Sequence, residues 1–481
     1  MDLSAYDHNP YFYDEMFDSE LTPRPHCQKI YQALQEFTVS DLAMMQSRVA
    51  SSFHSEGITF TVYDEAKAGG KSDERIIPID CIPRLLTASE WGTLEAGLTQ
   101  RLRALNMFLQ DIYNEARIIA DGVMPIDIVR NCPQYRIAMR GVKVPRNTWV
   151  SICGTDVVRT NDGFFVLEDN LRVPSGVSYM LANRRVMKTN LRYLYRSYKV
   201  KEVENYGEIL RQTLCELTDK SDPCIALLTP GVFNSAFYEH IFLANEIGAE
   251  LVEGRDLIVN NGHVYMRTTQ GLRQVDIIYR RIDDDFIDPI VFRPDSLLGV
   301  PGLMHAYKLG NVVLANAPGN GIADDKSVYA YVPDMIRYYL HAEPLLNNVQ
   351  TYLCRRPDDL TYVLDNVANL VIKRVDASGG YDMLIGKHAT VAERDAYITK
   401  LRATPHNYIA QPTLALSRSP CVVDGRVEPR HVDLRPFVLH GQHTRIVPGA
   451  FCRVALQRGS LVVNSSQGGG GKDFWVVDAL T

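Results

Sequence analysis

The stretch Gly154-Thr-Asp-Val-Val-Arg-Thr-Asn-Asp-Gly-Phe-Phe-Val-Leu-Glu-Asp-Asn-Leu-Arg172 decides how this chain is read. Asn161-Asp162-Gly163 is a turn signal between two runs of strand-forming residues. With a three-residue loop at 161–163, Thr160 pairs with Phe164, the ladder runs straight and Asp156 stands opposite Glu168. Asn170, two residues further on, shares that face. Cross-strand neighbours sit only about 4.5–5.5 Å apart at Cβ, where two like charges destabilise a sheet. Two carboxylates and an amide oxygen on one patch suit a cation, and Mg²⁺ takes a few hard oxygen ligands together with phosphates. The bland alternatives are an edge hairpin whose acids point to solvent, or a two-residue loop that breaks this register.

Working outward, the second informative stretch is Leu370-Val-Ile-Lys373-Arg-Val-Asp-Ala-Ser378-Gly379-Gly380-Tyr-Asp382. An apolar strand carries a lysine and feeds a loop with adjacent glycines. Glycine lets backbone N–H groups approach phosphate oxygens, and the lysine adds a point charge. Neither the G-K-[ST] nor the G-x-G-x-x-G spacing is present in this stretch, so it is neither the familiar phosphate-loop nor the dinucleotide fingerprint. Upstream, Asp324-Asp325-Lys326 places another lysine at a helix start. Downstream, Tyr408-Ile-Ala-Gln411-Pro412 ends an apolar run with an amide, as an adenine-binding hinge would.

Between these stretches, residues 224–253 read as a β–α–β unit. Cys224–Thr229 is a short apolar run, Asn234–Ile247 carries a helical pattern and Ala249–Glu253 returns to strand. The Thr229–Ser235 loop fits the carboxyl edge of such a sheet, where α/β proteins bind ligands. A strand-like run from Ile277 enters Arg280-Arg281-Ile282-Asp283-Asp284-Asp285, either a solvated charged loop or a carboxylate-binding patch. Glu90–Tyr113 has an apolar stripe (Leu94, Leu98, Leu102, Leu105, Leu109, Ile112) with Arg101, Arg103, Gln110 and Asp111 on other faces. It reads as a packing helix without chemistry.

The whole-chain numbers agree with an enzyme. The 481 residues allow two to four domains, and the formal charge of −6 is too faint for a dedicated nucleic-acid binder. No apolar run of about 20 residues suggests a membrane span, and the polar, aromatic start lacks the pattern of a secretory signal. Nine scattered cysteines, without a C-x-x-C pair, read as thiols in a reducing compartment, so the expected location is cytoplasmic.

Taken in order, Asp156…Glu168-x-Asn170, Asp-Asp-Lys326, Val-Ile-Lys373 with Gly379-Gly380, Asp433-Leu-Arg435 and Asn464-Ser-Ser-Gln-Gly468-Gly resemble ATP-grasp. The segments are rotated, with the metal-binding part ahead of the lysines. That order is similar to the circularly permuted type 2 ATP-grasp proteins, which include glutathionylspermidine-synthetase-like carboxylate–amine ligases. The likeness to the uncharacterised branch of that group covers about 75–481, through runs such as Val166–Tyr179, Leu227–Ala236 and Ile278–Asp285.

The resemblance implies an α+β, α/β fold: a circularly permuted ATP-grasp unit around an inserted substrate-side α/β domain. It divides the chain into a mostly helical extension (1–75), a helical segment with the metal-binding part (76–220), the substrate-side domain (221–320) and the nucleotide-binding part (321–481). It implies that Asp156, Glu168 and Asn170 hold Mg²⁺ on the ATP phosphates. Lys326, Lys373 and the Gly379–Gly380 loop contact those phosphates, and Gln411 lies near adenine. Arg435 or Arg453 faces the transferred phosphoryl group and the acyl phosphate, Arg172 is a further catalytic candidate, and Asn234, Ser235, Arg280 and Arg281 face the substrate.

The implied reaction joins a small-molecule or peptide carboxylate to an amine. The rival readings are a nucleotide-binding scaffold in a larger assembly and a phosphotransferase. No nucleic-acid or membrane partner is expected; a homo-oligomer or a partner enzyme is. Three positions depart from the family pattern. Asp382 puts an acid in a phosphate loop, where its charge opposes phosphate unless it points away or binds metal. Ala450-Phe451-Cys452 replaces Gly-Leu-Thr before Arg453, and Gly154 stands where better-studied ligases of the group place an arginine.

Overall fold

The computed structural model of the protein describes residues 6–63, 72–232, 234–376, 382–463 and 469–478. Along the chain, β1 (Ile79–Thr87) leads into α1 (Ala88–Ile112), and β2 (Ile152–Thr160) and β3 (Gly163–Asn170) form the carboxylate hairpin, followed by α2 (Val177–Asn190). Then come β4 (Ile225–Leu228), α3 (Phe237–Ile247) and β5 (Ile277–Arg280). After them follow β6 (Leu370–Arg374), β7 (Tyr408–Pro412), β8 (Arg435–His440), β9 (Thr444–Val454) and β10 (Gly470–Val477).

A seven-stranded sheet is the backbone of the molecule, ordered 347–348, β3, β2, β8, β9, β10, β1. Its back face packs Val157 and Val166 against the leucines of α1 in one continuous core. Helix α1 starts where Thr87 and Glu90 form a reciprocal capping box, which satisfies two of the orphan N–H groups of the first turn. Two residues expected on its outer faces, Arg101 and Asp111, are in fact buried. Arg101 grips Asp169 with Nε at 2.9 and 2.8 Å, on the back of the hairpin, because the helix lies over a sheet face that carries that acid.

The hairpin corrects the straight ladder expected above. Its loop is the two residues 161–162, with Thr160 paired to Gly163, so the ladder starts one residue out of step. A bulge at Leu167 then takes up the difference: Val157 pairs with Val166, and Asp156 pairs with Glu168. Gly163, at φ +109°, makes the tight loop possible, since only glycine adopts that conformation without strain. Bulges of this kind re-aim side chains next to functional sites. Asp156, Glu168 and Asn170 therefore do share the front face, by a different route.

Two smaller sheets flank this one. A parallel sheet of four strands, ordered 313–315, β5, β4, 250–252, has α3 as the crossover from β4 to 250–252. The chain passes from β4 to a neighbour on one side and later to β5 on the other, which makes Thr229 the residue at a topological switch point. An antiparallel sheet, ordered 352–353, β7, β6, 383–385, buries Leu370, Ile372 and Ala410 on one side in their own core. Lys373 and Gln411 lie on the other side and look toward the front face of the large sheet. All nine cysteines are free thiols, and among the described residues no helix is long and apolar enough to cross a membrane.

Candidate active site

Asp156 is the centre of the front face. Neighbouring strands β8 and β9 aim two guanidinium groups at it. Arg435 contributes Nε at 2.5 Å and a terminal nitrogen at 2.9 Å, and Arg453 a terminal nitrogen at 2.6 Å. Burial alone pushes the Asp156 carboxyl up, but the two arginines outweigh it and hold the group well below the usual carboxylate range. Arg453 also donates its Nε to Asp433 at 3.0 Å, and Asp433 is fully buried. For Asp433 burial prevails over Arg453, and its carboxyl is raised. Two acids and two arginines thus form a compact, nearly neutral set.

Glu168 faces this set from β3 and is half-buried. The ammonium of Lys326 approaches it to 3.6 Å, from a helix start that Asp325 caps by accepting the Ser327 N–H. On β6, Lys373 donates to the amide oxygen of Gln411 at 2.8 Å, and Gln411 is itself oriented by donating to Thr351 at 3.0 Å. Burial is the main reason the Lys373 ammonium is pulled down to about 8; Lys326 lowers it further, while Glu168 and Asp156 draw it back. Asn170 donates Nδ2 to the Gly154 carbonyl at 3.0 Å, which turns its Oδ1 away from that bond.

Arg172 lies at the edge of the same face. Its Nε donates to Asp324 at 2.7 Å and a terminal nitrogen to Asp283 at 3.3 Å. Those acids raise the guanidinium above its ordinary value despite burial.

The four substrate candidates lie in two places. Asn234 and Ser235 are half-buried in the turn before α3, where Asn234 Oδ1 accepts the Ala236 N–H at 2.9 Å. Arg280 and Arg281 are buried, so the solvated-loop reading is overturned. Arg280 pairs with Asp284 at 2.9 Å and donates to the carbonyls of Asn316 and Ile282. Arg281 donates to the Pro174 carbonyl at 2.8 Å and to Ser175 Oγ at 2.7 Å, and pairs with Glu239 at 3.2 Å. Glu239 in turn accepts the N–H groups of Gly176 and Ser178 at the start of α2. The Ser175 carbonyl accepts from Arg435 at 3.2 Å. Arg281 is therefore linked to the Asp156 cluster through a loop.

Two of the departures acquire a physical account. Asp382 accepts from Tyr397 Oη at 2.9 Å and from Lys400 at 3.2 Å, so its charge is held against the 391–403 helix. A Cβ at Gly154 would lie 3.3 Å from Cδ of Arg435, whose stem fills the space above that glycine. Gly379, Gly380 and 464–468 lie outside the described residues.

Residues 83–455 match the family model for circularly permuted ATP-grasp type 2. The chain belongs to that family. An uncharacterized protein of Synechocystis sp. (strain ATCC 27184 / PCC 6803 / Kazusa) is 50% identical over 100% of both chains. Another uncharacterized protein, from Mycobacterium tuberculosis (strain ATCC 25618 / H37Rv), is 46% identical over 97% of this chain and 84% of its own. A protein of Frankia casuarinae named "Putative glutamate--cysteine ligase 2-2" is 39% identical over 98% of this chain, which spans only 54% of that relative. Among solved structures, a glutathione synthetase-like effector from Globodera pallida in apo form superposes with a TM-score of 0.57 at 12% identity, covering 91% of this chain and 98% of that one. At that identity the likeness speaks for the shared ATP-grasp fold alone.

Two acids of this face, Asp433 and Asp324, stand in the motifs quoted above without a role, and Glu239 is absent from them. Asp433 stands two residues before Arg435, a spacing that puts both on one strand face and was available as a signal. Asp324, beside Asp325 and Lys326, also had a local signal. Glu239 had none, because its partners lie 42 and about 60 residues away in sequence.

Proposed function

We propose that the protein is an ATP- and Mg²⁺-dependent carboxylate–amine ligase. The observation that carries this reading is the convergence of Asp156, Glu168 and Asn170, from one hairpin, with Lys326 and Lys373, from two other elements, on a single face. The donor set suits Mg²⁺ once Arg435 turns from Asp156 to phosphate: two carboxylates and an amide oxygen are hard ligands, few enough to leave positions for phosphate oxygens. When bound, the metal would neutralise phosphate charge and align the transferred group. The Frankia name and the family match support a ligase of this class.

In the reaction, an oxygen of the substrate carboxylate attacks the γ-phosphorus, the bond from that phosphorus to the β–γ bridging oxygen breaks and ADP leaves. The amine nitrogen then attacks the acyl carbon, the C–O bond to phosphate breaks, and a proton leaves the nitrogen. Lys326 and Lys373 hold the phosphate oxygens, which fixes the line of attack. Arg435 and Arg453 stand where charge builds on the transferred group, and their grip on Asp156 keeps them aimed before reactants arrive. Arg172 orients the incoming carboxylate from the edge of the face. The 221–320 segment supplies the substrate side, with the Thr229–Ser235 loop at its switch point.

The test is ADP release across a panel of amino acids, polyamines and peptides, with hydroxylamine added in parallel. Ligation predicts substrate-dependent ADP release and an acyl hydroxamate. ADP release without hydroxamate for every carboxylate would favour the phosphotransferase reading, and tight ATP binding without turnover would favour the scaffold.

A further inference from the structure

The N-terminal segment lies outside the residues matched by the family model, yet it is built into the molecule. Glu15 forms a fully buried ion pair with Arg84 at 2.6 Å. Asp14 accepts from Tyr6 Oη at 2.6 Å and from the N–H groups of Met16 and Phe17. The backbones of Tyr13, Glu15 and Arg418 exchange two hydrogen bonds of 2.8 Å, and Asn161 at the hairpin tip donates to the Tyr11 carbonyl at 3.2 Å. These anchors fix the position of Tyr11 and Phe12.

Tyr11 and Phe12 form one wall of a cavity of about 420 Å³, a size typical of small-ligand sites. Thr413 and Leu414, directly beyond Gln411 and Pro412, and Lys387 also line it. On β6 this cavity lies at the Asn369 end, while Lys373 stands at the other. Four residue steps separate them, roughly 13 Å. A molecule whose phosphates rest on Lys373 and whose body runs past Gln411 ends in this cavity.

The cavity's chemistry suits a nucleoside. Arg418 is nearly buried, its guanidinium lies 4.9 Å over the Phe12 ring, and one terminal nitrogen donates to the Asp7 carbonyl at 2.9 Å. Its Nε is buried and has no hydrogen-bond partner, an uncommon and costly state for a charged donor. A purine ring offers a π-face for guanidinium and aromatic groups.

We propose that the segment Asp7–Tyr13 is the outer wall of the nucleoside end of the nucleotide site, with Tyr11 and Phe12 packing on the base beside Arg418. This rests on the nucleotide reading given above. The experiment is calorimetric titration of the full-length protein with ATP and, separately, with inorganic tripolyphosphate. Tyr11 is 62% exposed, so Tyr11→Ala leaves the fold intact, and the double variant Tyr11→Ala/Phe12→Ala removes the whole wall. The expected result is at least fivefold weaker ATP binding for Tyr11→Ala and more than tenfold for the double variant, with tripolyphosphate affinity unchanged within twofold. Unchanged ATP affinity overturns the wall, as does equal weakening of both ligands. Wild-type protein that binds neither ligand overturns the nucleotide reading itself.

Discussion

The side chain of Arg435 runs across Gly154, so that the space a Cβ would need there is already filled by Cδ and Cγ of the arginine, at 3.3 and 3.4 Å. A side chain at 154 would therefore crowd the arginine stem that reaches Asp156. The Cβ of Gly154→Ala would also meet Pro174 at 3.1 Å, and the arginine must give way by a few tenths of an ångström. We expect ADP release to fall about tenfold, equivalent to about 1.4 kcal/mol of transition-state stabilisation. Thermal unfolding should hardly move. A variant with wild-type turnover would show that the Arg435 position is not critical.

Glu168 is half-buried and, among the described residues, pairs with Lys326 at 3.6 Å, so its removal leaves the fold standing. Glu168→Ala is expected to lower ATP turnover by at least about 100-fold, and chelating Mg²⁺ from the wild-type assay should do the same. ADP release at the wild-type rate in the variant, with substrates present, would sink the metal assignment.

Lys373 carries the pH signature of the site. Its ammonium is pulled down to about 8, so the charged form is lost as pH rises through that value. Phosphate binding should weaken by approaching tenfold per unit above about pH 8. Folding responds with the opposite sign. Below about 8 the buried charge costs stability, and this cost is relieved between about 8 and the ordinary lysine value, where the unfolded chain binds more protons. ATP titrations from pH 7 to 9.5 check the first effect, and Lys373→Met should abolish it.

Breaking the buried pair between Arg281 and Glu239 strands a charge and leaves the Gly176 and Ser178 N–H groups without their acceptor. Glu239→Ala is expected to cost about 3–5 kcal/mol in urea unfolding. Glu239→Gln should cost clearly less, because its amide oxygen still accepts those N–H groups. Equal losses for the two variants would mean that the ion pair, not the helix start, dominates.

Much of the site was legible because its signals are local. Asn161-Asp162-Gly163 announces a turn, and counting outward from it finds Asp156 against Glu168. Lys373 and Gln411 were readable as polar residues in apolar strands. What stayed hidden depends on distant partners. The bulge at Leu167 answers to a tight loop chosen by Gly163, and Arg101 is buried only because α1 covers Asp169. Arg281 looked like a surface charge until Pro174, Ser175 and Glu239 enclosed it. Asp382 is turned aside by Lys400, eighteen residues further on, a choice no local pattern reveals.

The bulge also separates register from turn shape in the hairpin. Eleven residues separate Asp156 from Glu168, and whether the surplus one sits in the loop or at Leu167, the two carboxylates meet on the same face. What the two arrangements share is the pairing register, and the register decides the face. A single residue inserted at the hairpin tip is taken up by a three-residue loop and leaves Glu168 opposite Asp156. A pair of inserted residues would lengthen the hairpin and leave its chemistry where it is.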